Sequence, residues 1–97
     1  MILTIYGIFD RKTKTVAFVR EADNIECFER WFATAFLRCS SLFALYPEDY
    51  DIYALCKFDN ESMHVSSDVP DLMCNVSELF DKFKICRPNH LPDDSDE

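Results

Sequence analysis

Glycine is almost absent: the 97-residue chain holds one, Gly7. Phosphate-cradling loops and dinucleotide fingerprints need several glycines, so both are excluded. Cysteines never stand as a C-x-x-C pair. Cys27, Cys39, Cys56, Cys74 and Cys86 are separated by 11, 16, 17 and 11 residues, which removes local support for a zinc ribbon or a redox motif. Basic residues are scarce, 10 Lys plus Arg against 18 Asp plus Glu, for a net charge of −8. A duplex-DNA binder shows a basic face that displaces counterions, and this balance argues against strong non-specific binding of that kind. No apolar run approaches the roughly 18 residues of a membrane span. The apolar start, Met1 to Phe9, lacks a basic leader and a cleavage site. With an odd cysteine count, this predicts a reducing compartment, the cytoplasm, and no membrane partner.

What is present is core material. Hydrophobic residues make up 48% of the chain and include nine Phe, enough for one core but not two. Charge is uneven. Pro88 to Glu97 holds Asp93, Asp94, Asp96 and Glu97 with no Lys or Arg, so the last ten residues carry half of the net −8. The division expected is a single domain over 1–87 and an acidic, disordered tail over 88–97.

The segment Ile2–Phe9 is β-branched and aromatic and predicts a strand. Ile2, Thr4, Tyr6 and Ile8 share one face; Leu3, Ile5, Gly7 and Phe9 share the other. Both faces are largely apolar, which predicts a central strand or one covered on both sides. A polar turn and the β-rich Thr15–Val19 complete an antiparallel hairpin. Asp23 and Glu26 have the D-x-x-E spacing of a helix start. Ile25, Phe28, Phe32, Ala35, Phe36 and Cys39 then keep helical spacing, which predicts an amphipathic helix of about 16 residues with Glu29 on its polar side. Pro47 opens a turn into a third strand, in which Ile52, Ala54, Cys56 and Phe58 form one face. Met63–Val65 suggests a short fourth strand. Leu72, Val76, Leu79, Phe80 and Phe83 suggest a second helix between Asp71 and Phe83. The order predicts an α+β fold: a small antiparallel sheet of three or four strands, a main helix and a short C-terminal helix.

Each candidate constellation has a structural reading beside its functional one. Arg11, Lys12, Lys14 and Arg20 form the basic cluster of the first hairpin, with Tyr6 and Phe18 near in sequence. Cations beside aromatics are the parts of a single-strand binding surface, and equally of a solvated hairpin over core aromatics. Glu48, Asp49 and Asp51 are paired acids of the kind that hold Mg²⁺ in a nuclease, and equally turn residues. Cys27, Cys39 and Cys56 are expected in the core, where free cysteine packs as a small hydrophobe. Neither His64 nor His90 has a spaced ligand partner. Trp31 adjoins the helix stripe, and the first strand is apolar on both faces. Homodimerisation is the expected cover for the surplus apolar surface. No serine, histidine and acid constellation stands out, so no enzyme and no cofactor are expected.

Three segments carry a resemblance: Ile5-Tyr6-Gly7-Ile8-Phe9-Asp10, Cys27-Phe28-Glu29-Arg30-Trp31-Phe32, and Pro47-Glu48-Asp49-Tyr50 with the strand Asp51–Asp59 after it. In order, spacing and length they resemble the small non-structural protein of gokushovirus-type Microviridae, circular single-stranded DNA phages. The chain departs from that pattern in carrying Cys27 and Cys56 where Ala and Gly are usual. The resemblance implies a non-capsid role in viral DNA replication, at the switch to single-stranded genome synthesis and packaging. The implied partners are single-stranded DNA or a phage or host replication protein, in the host cytoplasm. Arg30 joins Arg11, Lys12, Lys14 and Arg20 as an expected contact. Asp10, Pro47, Glu48, Asp49 and Tyr50 are motif residues with structural duties. The alternative from a different class is an acidic protein–protein interaction module, of host-factor or DNA-mimic type, that binds no nucleic acid.

Overall fold

The computed structural model describes residues 1–87. The expected acidic tail over 88–97 lies outside the described residues. Nearly continuous β-branched and aromatic sequence extends the chain at its start as β1 (Ile2–Asp10), which turns back as β2 (Thr15–Ala22). Asp10 shapes the turn: its Oδ1 accepts from the N–H of Lys12 at 2.8 Å. Lys14 closes the turn in the left-handed region at φ 62°, donating its N–H to Asp10 O. After the helical segment, β3 (Tyr50–Asp59) and β4 (Asp71–Asn75) complete one antiparallel sheet in the order β2-β1-β3-β4. β1 is therefore central, as its two apolar faces predict.

Every pair of neighbouring strands carries a bulge. Ile8 pairs with Phe18 but Phe9 with Val16, so Ala17 is the extra residue in β2. Leu55 is extra opposite Ile5 and Tyr6, and Met73 opposite Ile52 and Tyr53. Each bulge bends its strand and strengthens the local twist. The Leu55 bulge also overturns the simple alternation expected of β3. Cys56 pairs with Ile5 and Phe58 with Leu3, so both leave the face of Ile52 and Ala54.

One face of the sheet is covered by helix. α1 (Ile25–Phe32) begins at Asn24, whose side chain accepts from Cys27 N–H at 2.8 Å. Asn24, not Asp23, is therefore the cap, and Asp23 stays exposed. The helix loosens into a π-turn at Ala33–Leu37 and stops, about three residues short of the expected length. Ser41 secures the break by donating to Phe36 O at 2.8 Å and capping the single turn α2 (Leu42–Leu45). Pro47–Asp49 forms a 3-10 turn into β3.

Tyr6, Ile8 and Ile52 from the sheet meet Phe28, Phe32, Ala33 and Leu37 from the helix, all buried. Rings run through the layer in contact: Tyr6–Phe28 at 5.0 Å, Phe32–Phe43 at 5.2 Å and Phe43–Tyr50 at 4.8 Å. Complete burial of Phe28 and Phe32 stabilises the fold by roughly 1.5–3 kcal/mol each.

The second half of the chain differs from its expected form. Residues 71–75 are strand, and only Glu78–Lys82 forms a helix, α3. Leu72 and Val76 fit a helical spacing, but Asn75 breaks the element between them. Met63–Val65 yields one bridge, Phe58 to Val65, instead of a strand. Lys84, at φ 55°, ends α3 in a left-handed cap, with Ile85 N–H bonded back to Phe80 O at 2.8 Å. Cys27 and Cys39 are exposed and Cys56 half-buried, so none of the three packs in the core as expected. Cys27 lies in the outward first turn of α1, and Cys39 lies beyond the π-turn.

Candidate functional site

The five expected contact residues do not form one patch. Lys12 and Lys14 stand on the β1–β2 turn, exposed and without an ion pair among the described residues. Arg20 lies on edge strand β2, with its guanidinium 4.2 Å from the centre of the Trp31 ring. Phe18, two residues earlier on the same side of β2, stacks on that indole at 5.7 Å. Trp31 is thereby assigned: it closes the core beneath β2 and presents a π-face to a cation. Arg30, beside it on α1, is exposed and makes no ion pair among the described residues.

Arg11 belongs elsewhere. Its guanidinium donates to Glu48 O, its Nε lies 3.6 Å from Asp51 Oδ2, and its own N–H reaches Asp49 O at 2.9 Å. Arg87 grips the Glu48 carboxylate with both terminal nitrogens, at 2.5 and 3.1 Å. That grip holds the Glu48 carboxyl below its ordinary range. Asn75 finishes the corner: its Nδ2 donates to Glu48 O, Tyr50 O and Asp51 Oδ1, and its Oδ1 accepts from Ser77. Of the acids that suggested a metal site, Glu48 and Asp51 are thus tied by two arginines and an amide. Asp51 has both carboxylate oxygens engaged. No group of three His, Cys, Asp or Glu side chains among the described residues converges as a metal site.

Sequence reasoning missed Glu29. It is placed on the polar side of the helix by periodicity, yet it is only 5% exposed. Lys82 of α3 caps it with an Nζ–Oε1 distance of 2.5 Å, and Cys74 of β4 approaches Oε2 at 3.6 Å. Burial first, and the Glu29 charge second, push the Cys74 thiol up to about 12. The same carboxylate raises Lys82 through its hydrogen bond. A thiol so reluctant to ionise is a poor nucleophile, and the cluster serves to fasten α3 to α1. Only the wide spacing of Glu29 and Lys82 in sequence hid it.

No helix among the described residues lies over the opposite face of the sheet. Gly7, Phe9, Val16, Tyr53, Leu55 and Pro70 line a hollow of about 260 Å³ there. Phe9 and Tyr53, on the two central strands, meet edge-on at 6.0 Å. Gly7 is the floor. A Cβ at this position would stand 2.8 Å from Leu55 Cδ1 and 3.3 Å from Val16 Cγ1. Val19, paired with Gly7, and Leu72, paired with Tyr53, flank the hollow at 52% and 55% exposure.

With this geometry in hand, the family question is decided by a family model described as "Phage ORF5 protein", which matches residues 3–79. The chain belongs to the phage ORF5 protein family. Neither a curated protein nor a solved structure matches it. All three motif segments fall inside the matched span. In this ORF5-family chain their residues act structurally: Asp10 shapes the hairpin turn, Pro47 and Asp49 make the turn into β3, and Glu48 receives Arg87. Tyr50 is buried against Phe43. Burial raises both Tyr50 and Tyr6 above the ordinary phenol range.

Proposed function

We propose that the protein is a non-enzymatic accessory factor of a gokushovirus-type phage, family Microviridae. It acts in the host cytoplasm during the switch to single-stranded genome synthesis and packaging, by binding single-stranded DNA. A replication protein of phage or host is the second partner of that step. The supporting observation is the edge of β2. Lys12 and Lys14 on the turn that opens it and Arg20 within it stand without ion pairs among the described residues, and Arg20 rests on Trp31. Lys14 and Arg20 are six residues apart, which is roughly 20 Å at strand rise, a length that several nucleotides span. An exposed cation–π stack suits an unpaired base, because every base offers a π-face whatever its sequence. Membership of a phage family supports the setting. No helix among the described residues is long and apolar enough to cross a membrane.

The test is fluorescence anisotropy of a labelled single-stranded oligonucleotide at low and high salt. Binding is expected to weaken with salt. The triple variant Lys12→Ala, Lys14→Ala, Arg20→Ala is expected to flatten the log–log slope by about 2, at roughly 0.7 per lost phosphate contact. The acidic interaction-module reading is favoured by the net charge of −8 and by the withdrawal of Arg11 into the Glu48 corner. No binding at low salt would select it.

A further inference from the structure

We propose that the uncovered face of the sheet is the contact between two copies of this chain. Its chemistry excludes a phosphate backbone. The side chains presented are Phe9, Val16, Val19, Tyr53, Leu55 and Leu72, and the register adds the acids Glu21, opposite Ile5, and Asp51, opposite Phe9. Arg11, which reaches this corner, is already bound to Asp51. Nor does the hollow suit a cofactor. At about 260 Å³ it falls below the roughly 300–1,000 Å³ of small-molecule sites. Residues 88–97 offer one large aliphatic side chain, Leu91, against four acids, too little apolar surface to cover a sheet.

A second copy meets each requirement. The face carries both a hole and knobs. Gly7 floors the hollow, while Val19 and Leu72 project from the two outer strands beside it. A two-fold axis lying in the plane of the face, midway between the hollow and Val19 or between the hollow and Leu72, brings that one projecting side chain of each copy over the hollow of the other, so the surface complements itself. Four strands about 4.8 Å apart, over some seven residues at about 3.3 Å, give roughly 450 Å² per copy in projection. Two copies then bury about 900 Å², in the range of weak and transient contacts, which is the size of a reversible dimer. The β2 edge with Lys12, Lys14 and Arg20 stays outside this contact.

Sedimentation equilibrium of the full chain under reducing conditions, across a wide concentration series, tests the proposal. The mass is expected to rise from one chain to two. Leu72→Lys and Val19→Lys sit on exposed positions that tolerate polarity, and each is expected to weaken dimerisation at least tenfold while far-UV circular dichroism and the melt stay unchanged. Leu42→Lys, at a position 61% exposed on α2 across the sheet, is expected to leave it alone. One-chain mass at every concentration overturns the proposal, as does association indifferent to Leu72→Lys and Val19→Lys. If the chain remains single and an added oligonucleotide instead shifts the amide resonances of Gly7, Phe9 and Tyr53, the face belongs to nucleic acid and the proposal is overturned. Loss of DNA binding by the triple cation variant with dimerisation intact would bear on the DNA reading alone.

Discussion

The two faces of the sheet are built from similar residues and used in opposite ways. On one, Tyr6, Ile8 and Ile52 are sealed by Phe28, Phe32 and Leu37. On the other, Phe9, Val16, Tyr53 and Leu55 surround a hollow that no helix among the described residues covers. Strand sequence alone does not separate them, because β1 alternates between apolar sets. The helix decides: α1 has one apolar stripe, and that stripe can cover one face only. The lesson is that an apolar face on a central strand records a burial requirement without saying whether this chain or another meets it.

The sharpest way to break the contrast is Phe32→Ala. Phe32 is fully buried on the covered side, and its truncation is expected to cost about 3–5 kcal/mol by urea denaturation. Alkaline pH comes next and acts on the covered side alone. Tyr6, Tyr50 and Cys74 all hold their protons more tightly in the folded chain than in the unfolded one. Their contribution is therefore complete below the unfolded values and is lost as pH rises through the folded ones. The melt is expected to fall from about pH 9 upward, the ordinary thiol value, and Cys74→Ala is expected to move the onset toward the tyrosine range near pH 10. Lys14→Gly is expected to stabilise by up to about 1 kcal/mol, since the left-handed turn position strains any side chain. It also removes one cation from the β2 edge, so tighter folding and weaker DNA binding should appear together. Smallest of all, Leu72→Ser on the open face is expected to change monomer stability by no more than about 0.5 kcal/mol. A large loss there would mean the face is structural within one chain.

Much of this architecture was legible from residue chemistry. The first hairpin, the amphipathic α1, the Pro47 turn and β3 follow from β-branched runs, helical spacing and proline, while the D-x-x-E spacing puts the cap of α1 at Asp23, one residue before the Asn24 that serves. Three things were not. Leu72, Val76 and Leu79 satisfy a helical period, but a polar Asn75 that bonds to three acceptors across the chain ends a strand among them. Bulges at Ala17, Leu55 and Met73 add one residue each, and no period reveals an insertion that flips the faces after it. Glu29 and Arg11 look solvated by position, yet each is claimed by a partner distant in sequence. Of the expected contact residues, Lys12, Lys14, Arg20 and Arg30 remain available at the surface, and the Arg20–Trp31 stack became visible only when β2 and α1 were seen side by side.

The bulges reach further than their own ladders. A kink in every pair of neighbours bends and twists the sheet away from flatness, and a bent sheet mates badly with a level surface. An arbitrary sheet pressed against it would touch at a few ridges and leave gaps between them. The curvature thus works as a filter on company, admitting a surface bent to the same contour and turning away the flat edges on which fibrils grow.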